Sequence, residues 1–491
     1  MLQIAGFVMF SILFLLMVHF LKHQWARNRF PPGPTPLPII GNLWQLDFSL
    51  KRETLAQLTK SYGNIYTLWL GTTPLVVLNG YEAVREGLVT SSEELSARAL
   101  TPLFLDLMGE KGVFLTSGHT WKQQKRFVMM VLRHLGMGTK ELEDQIQEEA
   151  QHLLKVFSSK QGRAFEPRTQ IVRAVGNVIC SFLFGHRFLY EDESFNKLIK
   201  AGSLVVYTPF TFWGRMYDAL PGVMNHLKGL YQEVLEYNDF IHNLVKEEIQ
   251  SHTERWKEGD EPHDFVDFYL GQMAKTKNDP TSTFNEDNLV QTAVDLLLGG
   301  MDTMATTFCW AFCYLLNCPD VQEKSYKEIN ALLGPSHTIT YEDRIKLPYT
   351  NAVLHEILRF SNTTGVGPLR TCSKDITVLG FPIPKGTLVL PNNHSVLYDP
   401  NFWETPWKFN PGHFLDSEDN FVSNRAFLPF STGRRTCVGE PLAQIELFLF
   451  FTNLVRTFKF QLPKGTKEVS FEYILGGTRH PLPFEFHAIP R

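Results

Sequence analysis

One of the six cysteines lies where a reactive or metal-binding thiol is expected. Cys437 belongs to the polar segment from Phe430 to Gly439, which leads into the strongly apolar stretch 442–458. The apolar residues of that stretch recur at helical spacing, and Pro441 suits the first turn of a helix. A helix start offers free N–H groups and a positive dipole end, and two arginines of the segment add charge. We therefore expect Cys437 to be a thiolate that attacks an electrophile or binds a metal.

The residues around Cys437 match the pattern Phe-x-x-Gly-x-Arg-x-Cys-x-Gly. The fixed positions are Phe430, Gly433, Arg435, Cys437 and Gly439, and a chance match in a chain of this length is on the order of one in ten thousand. This pattern is the haem-binding loop of the cytochromes P-450, which the segment closely resembles. The resemblance implies that Cys437 is the axial thiolate ligand of the iron of haem b. It also implies that Arg435 binds a haem propionate and that Phe430 contributes to cofactor binding.

A second candidate site lies within the longest apolar segment, residues 287–316. Its helical period and its apolar character on all sides predict a buried helix, with a second membrane span as the alternative. Gly299 and Gly300 in mid-helix cost about 1 kcal/mol each relative to alanine, which close helix packing or a distortion beside a ligand would explain. In the cytochrome P-450 family the motif Ala/Gly-Gly-x-Asp/Glu-Thr holds dioxygen. By this resemblance Thr303 donates a hydrogen bond to the bound oxygen, and Asp302 belongs to the path that delivers protons.

Glu356 and Arg359 form a predicted structural ion pair. They lie three residues apart on an apolar helical segment, so we expect the pair to be buried. His355 precedes the glutamate, but Arg359 stands where a zinc-protease motif needs its second histidine, which excludes that kind of zinc site. The pair matches the Glu-x-x-Arg motif of the family, and the resemblance makes His413 its third member. The role implied is to lock the scaffold behind the thiolate loop.

Four further residues are assigned to the cofactor by resemblance alone. Haem propionates need cations, and the family places such contacts at Arg98, Trp121, Lys125 and Arg370. Family members usually carry an arginine four residues after the tryptophan, whereas this chain has Lys125 followed by Arg126. Lysine keeps the charge but lacks the bidentate fork of arginine. Which of these two side chains contacts the haem stays open at this point.

The N-terminal residues 1–21 carry no charged side chain and are nearly all apolar, which is long enough for a membrane span. A cleaved signal peptide is the alternative, but the sequence has no basic start and no clear small-residue cleavage site. Lys22 and two arginines follow, so the positive-inside rule keeps the rest of the chain in the cytoplasm. We predict a signal anchor at 1–21, a basic, proline-rich hinge at 22–42 and a catalytic domain at 43–491. The resemblance places the anchor in the endoplasmic reticulum membrane.

The rest of the chain predicts a mainly α-helical protein with small β-sheets. Residues 66–79 alternate around a Gly-Thr-Thr-Pro turn and indicate a β-hairpin, and strand signals return at 376–390. Helical periods dominate elsewhere, and no internal repeat indicates a second module. The resemblance implies the cytochrome P-450 fold with a single catalytic domain. The hinge, Gly136-Met137-Gly138 and His413 resemble most the vertebrate microsomal branch of the family.

Composition narrows the classes of partner. A net charge of −4 over 491 residues argues against nucleic acid, and six cysteines without a framework spacing indicate a reducing compartment. The predicted helix from Trp121 to His134 is basic, which is either a solvated face or a docking patch for an acidic electron donor. The resemblance makes NADPH–cytochrome P-450 reductase the donor, with cytochrome b5 as a possible second one.

The activity implied by the resemblance is that of a haem-thiolate monooxygenase. Such an enzyme inserts one atom of O2 into a lipophilic substrate, here a xenobiotic, a fatty acid or a steroid, which agrees with the apolar segments at the family's substrate positions. An isomerase or dehydratase acting on a peroxide is one alternative, although it would not need Asp302 and Thr303. A non-catalytic haem protein is another, and it would need neither these groups nor a donor-docking face.

Overall fold

The computed structural model describes residues 2–46, 52–135, 140–224, 226–227, 229–257, 259–333, 337–365 and 367–491. The Gly136-Met137-Gly138 feature lies outside these residues. The helices, numbered in chain order, are α1 (Leu2–Arg27), α2 (Arg52–Tyr62), α3 (Gly80–Arg85), α4 (Pro102–Met108), α5 (Gly118–Leu135), α6 (Lys140–Ser159), α7 (Arg168–Phe184), α8 (Glu193–Tyr207), α9 (Phe212–Ala219), α10 (Pro221–Met224), α11 (Leu230–Arg255), α12 (Phe265–Lys275), α13 (Glu286–Asn317), α14 (Pro319–Leu333), α15 (Pro348–Ser361), α16 (Asn393–Leu397) and α17 (Glu440–Thr457).

The strands are short and make up a much smaller part of the fold. They are β1 (Ile65–Leu70), β2 (Thr73–Leu78), β3 (Ala97–Arg98), β4 (Arg370–Thr371), β5 (Ile376–Val378), β6 (Phe381–Ile383), β7 (Leu388–Pro391), β8 (Phe458–Gln461), β9 (Tyr473–Leu475), β10 (Arg479–Pro481) and β11 (His487–Pro490). The prediction of a mainly α-helical fold with small sheets is therefore confirmed.

The chain divides into two compact units, of which the smaller contains Met1–Ala99, Val366–Phe402 and Phe430–Thr436. Its main element is a five-stranded sheet in the order β1-β2-β7-β4-β3. The predicted hairpin is confirmed, since β1 and β2 pair antiparallel, and β2 pairs in parallel with β7. Apolar side chains of this sheet and of α2 form a buried cluster, which comprises Leu55, Tyr66, Leu68, Leu75, Val77 and Leu390.

The larger unit contains Leu100–Gly365, Trp403–Pro429 and Cys437–Arg491. Its central element is α13, which packs against α7, α8, α11 and strand β10 and is buried along nearly its whole length. The helix starts after Asn285, whose side-chain oxygen accepts a hydrogen bond from the Asn288 N–H at 2.9 Å. It ends just before Pro319, which in turn opens α14. The predicted buried helix is therefore confirmed.

One helix of the described residues, α13, is long and apolar enough to cross a membrane, and 78% of its most apolar window is buried inside the protein. This burial is that of a core helix and favours the interpretation preferred from the sequence. The predicted anchor at 1–21 falls within α1, which continues to Arg27 and carries exposed apolar side chains such as Phe7, Phe10 and Leu15. The anchor and the hinge stay predictions.

Candidate active site

Cys437 lies in a tight loop immediately before α17. A short 3₁₀ turn at Gly433–Arg435 precedes it, and α17 begins at Glu440, close to the predicted start. Gly433 has a φ of +76°, and a Cβ built on it would lie 1.8 Å from the carbonyl oxygen of Leu88. Only glycine fits such a close approach in this left-handed conformation. The glycine of the motif is thus explained by the backbone contact that it permits.

The pKa of the Cys437 thiol departs from the expectation. Its burial among protein atoms raises the pKa above the ordinary value, although the side chain stays accessible to solvent on one side. The N–H groups of Gly439 and Glu440 and the charge of Lys125 lower it, which is the predicted helix-start effect, but burial outweighs them. For the thiol by itself the balance thus favours the protonated form, and the predicted metal-bound thiolate stays a prediction. A metal cation bound to the sulfur would supply the missing charge, since a coordinating thiol is deprotonated.

Two buried arginines lie close together in the smaller unit. Arg370 on β4 is 3% exposed and stands opposite Arg98 on the paired strand β3. Arg435 is 8% exposed, and its Nε–H donates to the Ser96 carbonyl oxygen at 2.7 Å. Burial lowers the pKa of Arg370 to about 10, and burial together with the charge of Arg370 lowers that of Arg435 to about 9. The protein thus holds positive charges together in a poorly solvated place.

Part of this charge has no hydrogen-bond acceptor within the part of the chain that the structure describes. The Nε and Nη1 atoms of Arg370 are buried and lack an acceptor among the described residues. A buried guanidinium that lacks acceptors is costly, so an anionic group is the natural complement. Arg98 thus pairs with Arg370 along the sheet, and Arg435 lies within electrostatic range of Arg370. Haem b carries two carboxylates, and this set of donors fits them.

Trp121 and Lys125 lie one turn apart on α5 in the larger unit. Trp121 is buried, and Lys125 Nζ lies 5.8 Å from the centre of its ring. Lys125 is half-buried and its charge acts on Cys437, whereas Arg126 is exposed. These differences favour Lys125 over Arg126 as the side chain that turns toward the cofactor.

The two glycines of α13 differ in their surroundings. A Cβ on Gly300 would lie 3.2 Å from the Cγ1 atom of Ile179, so this glycine permits close packing against α7. A Cβ on Gly299 would meet nothing within 4 Å, and the helix continues through both positions. Thr303 is half-buried, and its hydroxyl donates to the Gly299 carbonyl oxygen at 2.6 Å. Gly299 and Thr303 therefore border open space, while Gly300 serves packing.

Asp302 is 3% exposed and is held by three side chains. The Thr478 hydroxyl donates to its Oδ2 atom at 2.6 Å, and Arg168 Nη2 donates to Oδ1 at 3.1 Å. His480 Nε2 lies 3.5 Å from Oδ2. The sequence analysis missed these three partners, which no motif marks. Asp302 thus directly precedes Thr303 in the chain, and its carboxylate contacts Thr478, Arg168 and His480.

The ion network of Glu356, Arg359 and His413 is buried in the larger unit. Arg359 donates through Nε and Nη2 to the two oxygens of Glu356, each at 2.7 Å, and through Nη1 to the Pro406 carbonyl oxygen at 3.1 Å. Neither side chain has any exposed area, and His413 Nδ1 lies 3.3 Å from both glutamate oxygens. The predicted buried pair with His413 as third member is confirmed.

Comparison with known proteins agrees with this arrangement. The family model described as Cytochrome P450 matches residues 31–488. Cytochrome P450 2J5 of Mus musculus is 36% identical over 490 residues, covering 100% of this chain and 97% of that protein. Cytochrome P450 2J2 of Homo sapiens is 37% identical, covering 98% of this chain and 95% of its own length. Cytochrome P450 2D6 of Homo sapiens is 39% identical, covering 98% and 97%.

These similarities establish the general activity of the chain. Proteins of this family bind haem b through a cysteine thiolate, take electrons from a redox partner and act on lipophilic substrates. The homologous enzymes of this branch are microsomal membrane proteins. The chain therefore belongs to the cytochrome P450 family and is a haem-thiolate monooxygenase.

Proposed function

We propose that Cys437 is the cysteine whose thiolate binds the haem iron. The observation that carries this proposal is the position of its thiol, on which the N–H groups of Gly439 and Glu440 and the charge of Lys125 act in favour of the anion. Cys437 is also exposed, whereas Cys180, Cys309, Cys313 and Cys372 are buried and Cys318 is intermediate. When bound, the haem supplies the iron centre at which O2 is activated, and a thiolate ligand favours O–O cleavage.

The haem propionates bind to the buried arginines of the smaller unit. Arg370 offers Nε and Nη1, which have no acceptor among the described residues, and Arg435 and Arg98 add charge. Trp121 and Lys125 of α5 are the further contacts, with Lys125 preferred to the exposed Arg126. Phe430 opens the loop and belongs to the same cofactor-binding set. Carboxylates that accept from arginine make charge-assisted hydrogen bonds, which are the strong ones.

Thr303 and Asp302 handle the protons that the reaction consumes. Thr303 presents a half-exposed hydroxyl, which a rotation about its Cα–Cβ bond would release from the Gly299 carbonyl oxygen. Asp302 is buried and holds its carboxylate among hydrogen-bond donors, so bulk water does not exchange protons with it freely. The acid stores a proton and the alcohol directs it into the site.

The electrons come from NADPH–cytochrome P-450 reductase at the endoplasmic reticulum membrane, with cytochrome b5 as a further donor. The anchor at 1–21 holds the enzyme there, and the catalytic domain faces the cytoplasm. The exposed apolar side chains of α1 and the absence of acidic residues in its first turn support the anchor. The exposed side chains of Lys122, Arg126 and Arg133 on α5 provide a basic face for an acidic donor.

The experiment that tests this function reconstitutes the full chain with haem, reductase and NADPH, and scores lipophilic substrates first by the change in iron spin state. Product formation should require reductase, and turnover without it would contradict the proposed donor. Thr303→Ala should keep haem and bind substrate but release several-fold more electrons as hydrogen peroxide, because the proton path loses its hydroxyl.

Thr452→Ala is the matched control. Thr452 is a buried helical threonine whose hydroxyl also bonds to a carbonyl oxygen one turn back, at 2.7 Å to Phe448. This variant should keep normal coupling between NADPH oxidation and product. Equal coupling in Thr303→Ala and the parent enzyme would remove the proton-delivery role of Thr303.

A further inference from the structure

A chain of three hydrogen-bonding side chains ends at the carboxylate of Asp302. His480 Nε2 lies 3.0 Å from the Thr478 hydroxyl oxygen, and the Thr478 hydroxyl donates to Asp302 Oδ2 at 2.6 Å. His480 Nδ1 in turn lies 2.7 Å from the hydroxyl of Thr306, one turn beyond Asp302 on α13. The turn before β10 and β10 itself thus bring one proton-bearing side chain each, Thr478 and His480, to the acid.

The direction of these bonds follows from the carboxylate at one end. An ionised carboxylate only accepts, so the Thr478 hydroxyl donates to it and has its lone pairs left for the imidazole. His480 then donates from Nε2, and in the neutral ring Nδ1 accepts from Thr306. All three bonds point toward Asp302. A chain with one direction is what transfer of a proton to the acid needs.

Among the residues that the structure describes, few charged groups lie around His480. Asp302 faces it from α13 and Arg168 from α7, while Arg479 on its own strand turns its guanidinium over the ring of Tyr473 at 4.1 Å. Burial lowers the pKa of His480, Asp302 raises it and Arg168 lowers it, so that the overall direction is downward. The side chain of His480 is 14% exposed against 3% for that of Asp302. The imidazole is therefore the member of the chain that solvent reaches more readily.

We propose that Thr478 and His480 are positioning residues that replace the proton which Asp302 delivers. When the Thr306 hydroxyl turns from Nδ1 toward the Thr478 oxygen, 3.3 Å away, a proton from water enters the ring at Nδ1. The Nε2 proton then passes to the Thr478 oxygen while the Thr478 proton passes to Asp302. One proton enters and one reaches the acid, so the imidazole and the hydroxyl end neutral. Thr306 donates to Nδ1 before the transfer and accepts from it afterwards. Arg168 keeps the carboxylate in place on its other oxygen.

This inference rests on the proposed role of Asp302 and Thr303, and its test separates the two. Thr478→Val removes the hydroxyl at nearly constant shape, and His480→Gln keeps a donor but carries no proton across the ring. We expect product per NADPH to fall at least threefold in each, with the substrate dissociation constant unchanged within twofold. His487→Gln is the control. His487 lies on β11, away from the Asp302 chain, and its Nδ1 atom bonds to the Gly162 carbonyl oxygen.

The pH dependence of product per NADPH distinguishes proton transfer from a merely structural role, which would leave this dependence unchanged. In the parent enzyme, product per NADPH should fall as the pH rises through the pKa of His480, which lies below its ordinary value of about 6.5, because fewer rings then hold the entering proton. In His480→Gln this dependence should be lost. A His480→Gln profile parallel to that of the parent enzyme would overturn the proposal.

Nitrogen NMR of the histidine-labelled full chain, in the diamagnetic reduced carbon monoxide complex, gives a readout independent of turnover. We expect the Nε2–H tautomer for His480 at pH 7 and a further lowered pKa in Asp302→Asn, since the charge that raises it is removed. An Nδ1–H tautomer of His480, or a His480 pKa that is unchanged in Asp302→Asn, would overturn the proposal. If Thr303→Ala uncouples while Thr478→Val and His480→Gln do not, this inference fails alone. If Thr303→Ala itself stays coupled, the proposed relay fails first.

Discussion

Two buried arginines of this protein, Arg359 and Arg370, differ in whether the surrounding residues provide an anion. Arg359 has no exposed area, and both oxygens of Glu356 bind it at 2.7 Å. Arg370 is 3% exposed, yet its Nε and Nη1 atoms have no acceptor among the described residues, and burial lowers its pKa to about 10. The first site is complete within the protein, whereas we propose that a haem carboxylate completes the second. Burial alone therefore does not tell a structural cation from a ligand-binding one.

This difference indicates that the Arg359 charge serves the scaffold and the Arg370 charge serves ligand binding. A buried ion pair with all its hydrogen bonds made fixes the geometry of the scaffold. Removing one partner leaves the other as an uncompensated buried charge. A buried cation that lacks acceptors instead costs stability until its ligand binds. We therefore expect substitutions in the first site to damage folding and those in the second to damage cofactor retention.

The largest effect is expected at the completed site. Glu356→Gln keeps the shape but leaves Arg359 buried without its anion, which should lower the free energy of unfolding by about 3–5 kcal/mol. Unfolding in urea followed by circular dichroism measures this. Glu323→Gln is the control, because Glu323 is 40% exposed and its pair with Arg491 at 3.0 Å should be worth less than about 1 kcal/mol. Equal losses in the two variants would contradict the contrast.

The second effect separates cofactor retention from folding. Arg370→Met removes charge-assisted bonds of about 1.5–3 kcal/mol to the haem, so haem dissociation should rise about 10- to 100-fold. The haem-free protein should be no less stable than the parent protein. Arg434→Met, which breaks an exposed pair with Glu93 at 2.7 Å, should leave haem dissociation within twofold. Loss of stability in haem-free Arg370→Met comparable to that of Glu356→Gln would remove the distinction.

Asp295 is an intermediate case, an anion held mainly by neutral donors. It accepts from the N–H groups of Val113 and Phe114 at 2.8 Å each, and burial raises its pKa to about 6. The folded protein then binds more protons than the unfolded chain between about pH 4 and 6. Its contribution to stability is present below pH 4 and is lost as the pH rises through 6, and it amounts to about 3 kcal/mol. In Asp295→Asn, urea unfolding across this range should lack that slope; an unchanged slope would assign it to other groups.

The smallest effect concerns the two neighbouring cations of α5. Lys125→Met should raise haem dissociation by less than about 10-fold, since a lysine forms a single-point contact. Arg126→Met should have no measurable effect, because its side chain is exposed. Transfer of haem to an excess of a haem-free acceptor protein measures both rates. A larger effect from Arg126→Met would assign the contact to the arginine.

Local patterns predicted the elements that carry the chemistry. The apolar period of α13, the helix start at Pro441 and the alternating hairpin are short-range features, and each was found where expected. The Glu356–Arg359 pair lies within one helical turn, so its spacing alone brings it together. Pro319 shows the limit of such signals, since it was read as the end of α13 and is also the first residue of α14.

Long-range contacts were beyond local patterns. Arg168 and Thr478 bind Asp302 across 134 and 176 positions, and no motif marks either residue. The pKa of the Cys437 thiol has the same dependence, because the helix start is visible in the sequence but the burial that raises the pKa depends on the folded chain. That Arg370 finds no acceptor for two of its nitrogens among the described residues likewise depends on tertiary packing.

The absorption spectrum of the reduced protein with carbon monoxide tests the central assignment, the bond between the haem iron and the sulfur of Cys437. The parent protein should show the band typical of thiolate ligation. Cys437→Ser should lose that band, while Cys372→Ser, which alters a buried thiol 2.8 Å from the Lys374 carbonyl oxygen, should keep it. A thiolate band that survives in Cys437→Ser would contradict the account.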